Sequence, residues 1–491
     1  MFYDSEQRNH DVHTLSTGHF ISIGFVSILI VSVIMGTILE VIRRSRESAR
    51  LRSSVVEEPP RRRPSCLEKY FSAFGIIENT SKLLFARSKD GDKNLEILNG
   101  IRVLSMLWVI LGHTYFYMMQ GALANPLFPL DLFKMFSFNL VSSGPYAVDI
   151  FFWLSGFLGV YIILCSMKKR NGKMQNPLMI YLHRYLRLIP LYVLTLLFYW
   201  FLMSSVGNGP IFFMYDEIES SSCSSTWWIH FLFLNNITEI HKNANGCMGW
   251  TWYLPNDMQF FLLIPIIVFL LYHKRVAGIL FLAGYQIACY IFTIVVAIQF
   301  DLSPSYFEAT DSYYKLYYHR PFARIAPFTI GVLVALLLYS FHNETPEASV
   351  FKRVMDKVHS SRLVRVAMYV VGSALFLLMI FIFYPINNYP EDFSRAFNIA
   401  FLTFSRSLLI LGMSLVLLPT LIGHNRPLWW LLSLDVFTPL ARLTFGAYMV
   451  HPALMIFDSY NTVRGEYVTI NGGIMKFIMW VVVSFAISLI C

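Results

Sequence analysis

Leu98-Asn99-Gly100-Ile101-Arg102-Val103-Leu104-Ser105-Met106-Leu107-Trp108-Val109-Ile110-Leu111-Gly112-His113 is the stretch on which the fold turns. It opens an apolar run that continues to residue 119. A bilayer-spanning helix needs about 20 such residues. The hydrophobicity is continuous rather than alternating, so it reads as a helix and not as a barrel strand. On a helix, eleven steps from Arg102 to His113 make about three turns plus roughly 20°. Both side chains leave the same face, roughly 16 Å apart along the axis.

Runs of this kind recur outward from it. The first covers Phe20–Leu39, and the others cover about 146–165, 185–204, 253–272, 276–299, 323–340, 365–384, 396–421, 439–457 and 473–491. With 97–119 this predicts an all-α, polytopic transmembrane bundle of about eleven helices. Composition agrees: 56% of the 491 residues are hydrophobic and only 14% are charged, against about 25% charged in a soluble domain. The first run lacks a basic leader and an A-x-A-like cleavage site, so it reads as an anchor. Four segments are expected: a short outer N-terminus (1–18), the first helix (19–42), a basic linker (43–96) and a membrane domain (97–491). Pro59, Pro60 and Pro64 break any helix beside Arg61, Arg62 and Arg63. The linker reads as a solvated cytosolic segment or as one that meets anionic lipid.

Lysine and arginine alternate between loops, which sets the orientation. Segments 43–96, 166–184, 273–276 and 341–364 are basic, whereas 120–145 has only Lys134 and 205–252 only Lys242. The N-terminus is therefore expected outside or in a lumen and the C-terminus in the cytosol, at the plasma membrane or the endoplasmic reticulum. The net charge of +9 follows from the cytosolic loops and does not call for nucleic acid. Cys223 and Cys247 share one outer loop, where they form a disulfide or stay as two thiols. The sequon Asn236-Ile237-Thr238 lies between them and is a candidate for glycosylation. Those at Asn79 and Asn343 fall on the cytosolic side. Neither the cysteine nor the histidine spacing matches a metal-ligand set. Trp227, Trp228, Trp250, Trp252, Trp429 and Trp430 fall near span ends, as an aromatic belt requires.

Ionisable groups at membrane depth are costly and face a cavity or the bundle interior. His113 is suited to act as general base on a hydroxyl. Arg102 is suited to fork a phosphate or carboxylate, or to snorkel to headgroups. The structural alternative is a snorkelling arginine beside a hydrogen-bonded core histidine. Asp257, Arg406 and His451 are the other polar groups in or beside spans. Arg406 sits too deep to snorkel, so it either lines a substrate cavity or meets a buried carboxylate. His451 precedes Pro452 and is either a satisfied core residue or a substrate contact.

The Arg-x10-His helix opening Leu98-Asn99-Gly100-Ile101-Arg102 resembles the signature of the acyltransferase 3 membrane family. Five further segments resemble that family or its nose-resistant-to-fluoxetine subgroup. They are the stretch from Tyr146 through Asp149 to Phe157, His183-Arg184-Tyr185-Leu186-Arg187 with Pro190, Trp252 through Asn256 and Asp257 to Phe261, Arg320 to Pro327, and Leu443 through Tyr448 to Pro452. The resemblance covers about residues 95–460. It implies transfer of an acyl group from a cytosolic donor, usually acyl-CoA, to a hydroxyl acceptor. No tightly bound cofactor is implied, and acyl-CoA would be a co-substrate. His113 would be the base, with Arg102 as its helix partner. Asp149 would orient the imidazole, or merely cap a helix or sit as an interfacial carboxylate. Arg184 and Arg187 would meet donor phosphates, or simply anchor the chain at the cytosolic boundary. Asn256, Asp257, Arg406 and His451 would contact substrate. This reading expects His113 to face an internal cavity open toward the cytosol. The alternatives are a lipid or small-molecule transporter with the same polar cavity, and a noncatalytic scaffold. Partners would be membrane lipid, donor and acceptor; no oligomeric state is assigned. The subgroup has a large Cys-rich lumenal domain before its first helix and closes with Glu-x-Pro and a basic tail. Here about 18 residues precede the first run and the sequence stops at Cys491 within an apolar one, which fits a truncated gene model.

Overall fold

The computed structural model describes residues 16–52, 65–85, 93–238, 246–347 and 349–490. Eleven helices among them are long and apolar enough to cross a membrane. In chain order they are α1 (Thr17–Arg52), α2 (Ile97–Met118), α3 (Pro145–Lys169), α4 (Pro177–Leu197), α5 (Tyr253–His273), α6 (Arg275–Gln299), α7 (Ile325–Asn343), α8 (Arg362–Phe381), α9 (Arg395–Leu421), α10 (Phe437–Asn461) and α11 (Ile470–Ile490). The described residues contain no strand, only an isolated bridge between Leu123 and Glu466. The expected all-α bundle is what forms.

The edges differ where polar residues are carried on a helix. α4 begins at Pro177, not at 185, because His183, Arg184 and Arg187 lie within it. α1 runs on to Arg52, past the basic residues that follow its apolar run. The Arg61–Arg63 triplet, most of the segment before α1 and Cys491 lie outside the described residues.

Contacts divide the chain into two units. The first holds residues 1–91 and 193–207. In it two short helices, Cys66–Ser72 and Ile76–Phe85, follow α1. Ser65 Oγ caps the first by accepting the Glu68 N–H. Glu78 of the second takes Arg43 of α1 at 2.7 Å and its own Lys82 at 2.6 Å. These hydrogen bonds and charges hold the Glu78 carboxyl below its ordinary range.

The second unit, residues 92–192 and 208–491, carries the remaining spans except the last residues of α4. Lipid tails are as apolar as leucine, so helices associate here through close contact rather than through hydrophobic burial. α3 and α7 show how. A Cβ on Gly156 would strike the Phe328 carbonyl, and one on Gly331 would strike the Trp153 carbonyl. Two backbones can meet this closely only at such positions. Trp153, Phe152, Phe157, Phe260 and Phe328 fill the core around that contact. α8 and α9 repeat the device: a Cβ on Gly372 would lie 2.7 Å from the Gly412 carbonyl, and the reverse pair 2.8 Å.

Candidate active site

α2 carries its two polar residues at different depths. Arg102 is the sixth residue from the N-terminal end, while His113 lies five residues before Met118. At 1.5 Å per residue His113 is about 24 Å from one end and about 8 Å from the other. The near end is the one from which the loop of residues 208–252 emerges.

His113 does not meet Asp149. Its Nδ1 lies 2.8 Å from Nε2 of His451 on α10, with the two rings stacked at 18°. Nδ1 of His451 lies 2.7 Å from the Ala447 carbonyl. A carbonyl only accepts, so that nitrogen must carry the proton. In the neutral pair, His451 Nε2 is then the acceptor and His113 Nδ1 the donor. This leaves Nε2 of His113 unprotonated, and no described residue bonds to it. The following residue, Pro452, has no N–H and releases a carbonyl of the preceding turn. His451, expected to be a core residue or a substrate contact, is fully buried and hydrogen-bonded to His113.

Asp149 has another task. The carboxylate is fully buried on α3. Its Oδ1 accepts from Arg324 Nη1 at 2.9 Å, and its Oδ2 from Arg406 Nη1 at 3.4 Å. Arg406 Nε donates to the Tyr317 hydroxyl at 2.9 Å. Arg324 Nε donates to the Tyr318 carbonyl at 3.0 Å, and its guanidinium lies over the rings of Tyr318 (4.4 Å) and Trp252 (4.9 Å). For Arg406 both foreseen roles hold together: it meets a buried carboxylate and lines a cavity. Sequence reasoning missed Arg324, although it lies in the quoted segment beginning at Arg320. It also missed Tyr317 and Tyr318, in the run Tyr313-Tyr314-Lys315-Leu316-Tyr317-Tyr318. That density of tyrosine was the available signal.

The cavity has a volume of about 580 Å³ and is walled by His113, Tyr146, Trp252, Tyr306, Tyr318 and Arg406, among others. Its further lining includes Gly246 and Gly249, from the loop with only Lys242, and Pro304 and Asp311, from the segment that follows α6. Gly246 and Gly249 flank Cys247 of the Cys223–Cys247 disulfide, so the loop that carries this bond helps to wall the cavity around His113.

Toward the basic end the other expected residues form a separate group. Arg184 pairs with Asp257, and its guanidinium lies 4.1 Å from the centre of the Phe261 ring. Arg187 is exposed and lies within electrostatic reach of Arg102, as does Tyr253. Arg102, Arg184 and Arg187 are absent from the lining of the His113 cavity. Asn256 is fully buried; its Nδ2 donates to the His319 carbonyl at 2.9 Å, and its Oδ1 accepts from Asn236 at 2.7 Å. These bonds tie its helix to the segments that carry Asn236 and His319.

Two expectations about the loop part ways. Cys223 and Cys247 are joined, with Sγ atoms 2.05 Å apart. Asn236, the sequon asparagine, is 1% exposed and its Nδ2 also reaches Gln259 Oε1 at 3.1 Å. The amide of the sequon is thus held inside the fold by Asn256 and Gln259. Among the described residues no cluster of three His, Cys, Asp or Glu side chains is placed to hold a metal.

Comparison with known proteins adds to this geometry. The profile of a family described as "Acyltransferase domain" matches residues 95–491. Nose resistant to fluoxetine protein 6 from Caenorhabditis elegans is 30% identical over 421 residues, covering 81% of this chain and 49% of the relative. Regulator of hypoxia-inducible factor 1, from the same organism, is 25% identical over 422 residues, covering 79% of this chain and 75% of the relative. The chain thus spans about half the length of the first of these. No solved structure matches it.

Proposed function

The chain belongs to the acyltransferase 3 family of integral membrane proteins, and from that premise we propose that it transfers an acyl group from a thioester donor of the acyl-CoA class to a hydroxyl in the His113 cavity. The observation that carries this is the chain from the Ala447 carbonyl through His451 to His113, which leaves one basic nitrogen unpaired on a residue of the cavity wall.

The acceptor hydroxyl would give its proton to His113 Nε2 as its oxygen attacks the thioester carbonyl carbon. The imidazolium keeps its Nδ1–H on His451 Nε2, a neutral acceptor that favours the charged form. Collapse of the tetrahedral intermediate breaks the C–S bond, and the departing sulfur takes the proton back from Nε2. Ester and thiol are the products, and the histidine pair is restored. Arg102, Arg184 and Arg187, near the basic end, suit the donor's phosphates. With the basic loops in the cytosol, the donor would enter there and the acceptor from the disulfide-bearing side. The N-terminus would then lie outside or in a lumen, and the C-terminus in the cytosol.

The test is purified full chain with labelled acyl-CoA and a panel of hydroxyl acceptors, native against His113→Ala. Loss of transfer on substitution is expected; equal transfer would remove the mechanism. The transporter reading draws on the same wide cavity. Lipid or solute uptake that survives His113→Ala, with no transfer in either protein, would favour it.

A further inference from the structure

One carboxylate, Asp149, answers two guanidinium groups, Arg324 and Arg406. One negative against two positive charges leaves one positive. All three side chains are nearly or fully buried, at 0%, 0% and 5% exposure. A buried charge without a partner is strongly unfavourable in a protein and more so in a bilayer. The excess is reachable from the cavity, because Arg406 is part of its wall. Beyond Asp149 and Tyr317 no described residue bonds to Arg406, so its Nη2 is unclaimed. Buried Nη2 of Arg324 also has no partner.

Two carboxylates line the same cavity. Asp311 is answered by Lys315 at 3.2 Å. Glu219 acts on Tyr117 and Tyr460, and the Tyr117 ring packs edge-on against His113 at 5.5 Å. Arg406 is thus the cavity-wall residue at which the excess positive charge of the Asp149 cluster is presented.

We infer that the acceptor is a hydroxyl-bearing monoanion, its carboxylate or phosphodiester seated on Arg406 and its hydroxyl turned toward His113. This rests on the proposed acyl transfer for the word acceptor; the anion site itself does not. One negative charge neutralises the excess, and a planar guanidinium fork suits either group. Arg406 takes the anionic end, which leaves the hydroxyl end for His113 on the same cavity wall. The shared chemistry has two sources, a soluble hydroxy acid or an anionic lipid headgroup.

The full chain is purified into nanodiscs of phosphatidylcholine, and binding is read from tryptophan fluorescence, since Trp250 and Trp252 line the cavity. The probes are 3-hydroxybutyrate against its methyl ester, and dihexanoyl phosphatidylglycerol against dihexanoyl phosphatidylcholine. Native protein should prefer at least one anion over its counterpart by about tenfold or more, the scale of a charge-assisted hydrogen bond. The first pair names a soluble acid and the second a lipid. Arg406→Gln should lose the preference, and Arg406→Lys should keep part of it. No preference for either anion, or a preference that survives Arg406→Gln, overturns the inference. If the glutamine variant does not fold, an Arg406→Lys protein with an undiminished preference does the same. Anion preference without acyl transfer by any variant would sink the proposed reaction and leave the site. Equal acylation of neutral and anionic acceptors, with no preference in binding, would sink the site and leave the reaction.

Discussion

Nδ1 of His113 and Nε2 of His451 lie 2.8 Å apart, although the two residues are 338 positions apart in sequence. The contact joins α2 to α10 and fixes which nitrogen of His113 is basic. Replacing His451 by Phe keeps an aromatic ring but removes the acceptor. His113 is then free to flip or to take the other tautomer. Transfer should fall on the order of 10²-fold, the lower range for a general base, with the pH profile displaced and KM for donor little changed. His451→Gln should recover part of the rate, because its side-chain carbonyl accepts. A pH profile unaltered in both variants would count against the orienting role.

Asp149→Asn removes the charge that two buried guanidinium groups share. Breaking such an arrangement from one side costs roughly 3–5 kcal/mol. Thermal unfolding in detergent should show a large fall in Tm. The double variant Asp149→Asn with Arg406→Gln restores the native count of one excess positive charge and should recover part of the loss. Additive losses in the double variant would mean that the two side chains are not coupled.

Gly331→Leu places a branched side chain where the Trp153 carbonyl already stands. Overpacking of this kind typically costs about 1–3 kcal/mol, and the obstacle here is backbone, which gives least. A lower Tm and a lower yield of monodisperse protein are expected. Gly284→Leu, at a glycine with nothing near its Cβ position, is the control and should behave as native.

Glu344 follows α7 and is bound by Arg275, with one contact at 2.9 Å. Burial raises its carboxyl pKa, but hydrogen bonds from Arg275, Ser349 and Ser340 outweigh that, and the net direction is below the ordinary 4.5. A group depressed in the folded state stabilises above its unfolded pKa and loses that contribution as pH falls through the folded value. The Tm difference between native and Glu344→Gln should therefore be constant near neutrality and shrink as the pH drops below about 4.5. A difference that widens on acidification would refute the assignment.

The eleven spans were legible because a bilayer imposes length and hydropathy on each segment independently. The disulfide was legible because the loop charge bias put Cys223 and Cys247 in one compartment. Partner choice was not, since it depends on which helix faces meet. The family resemblance implied that Asp149 orients His113, yet α3 turns Asp149 to Arg324 and Arg406, while α10 brings His451 to His113. Asn236 carried a valid sequon, but nothing local shows that Asn256 and Gln259 would hold its amide. Arg324 read as one more basic residue at a span edge until the fold set it against Asp149 and between Trp252 and Tyr318.

A shortfall of one anion around Asp149 has a practical corollary at the bench. Any small ion that fits beside Arg406 competes for the same place, so the counter-ion of the buffer becomes a variable. Assays in chloride, acetate and bulky gluconate should then give different apparent affinities at equal ionic strength, and the salt that best mimics a carboxylate should inhibit most.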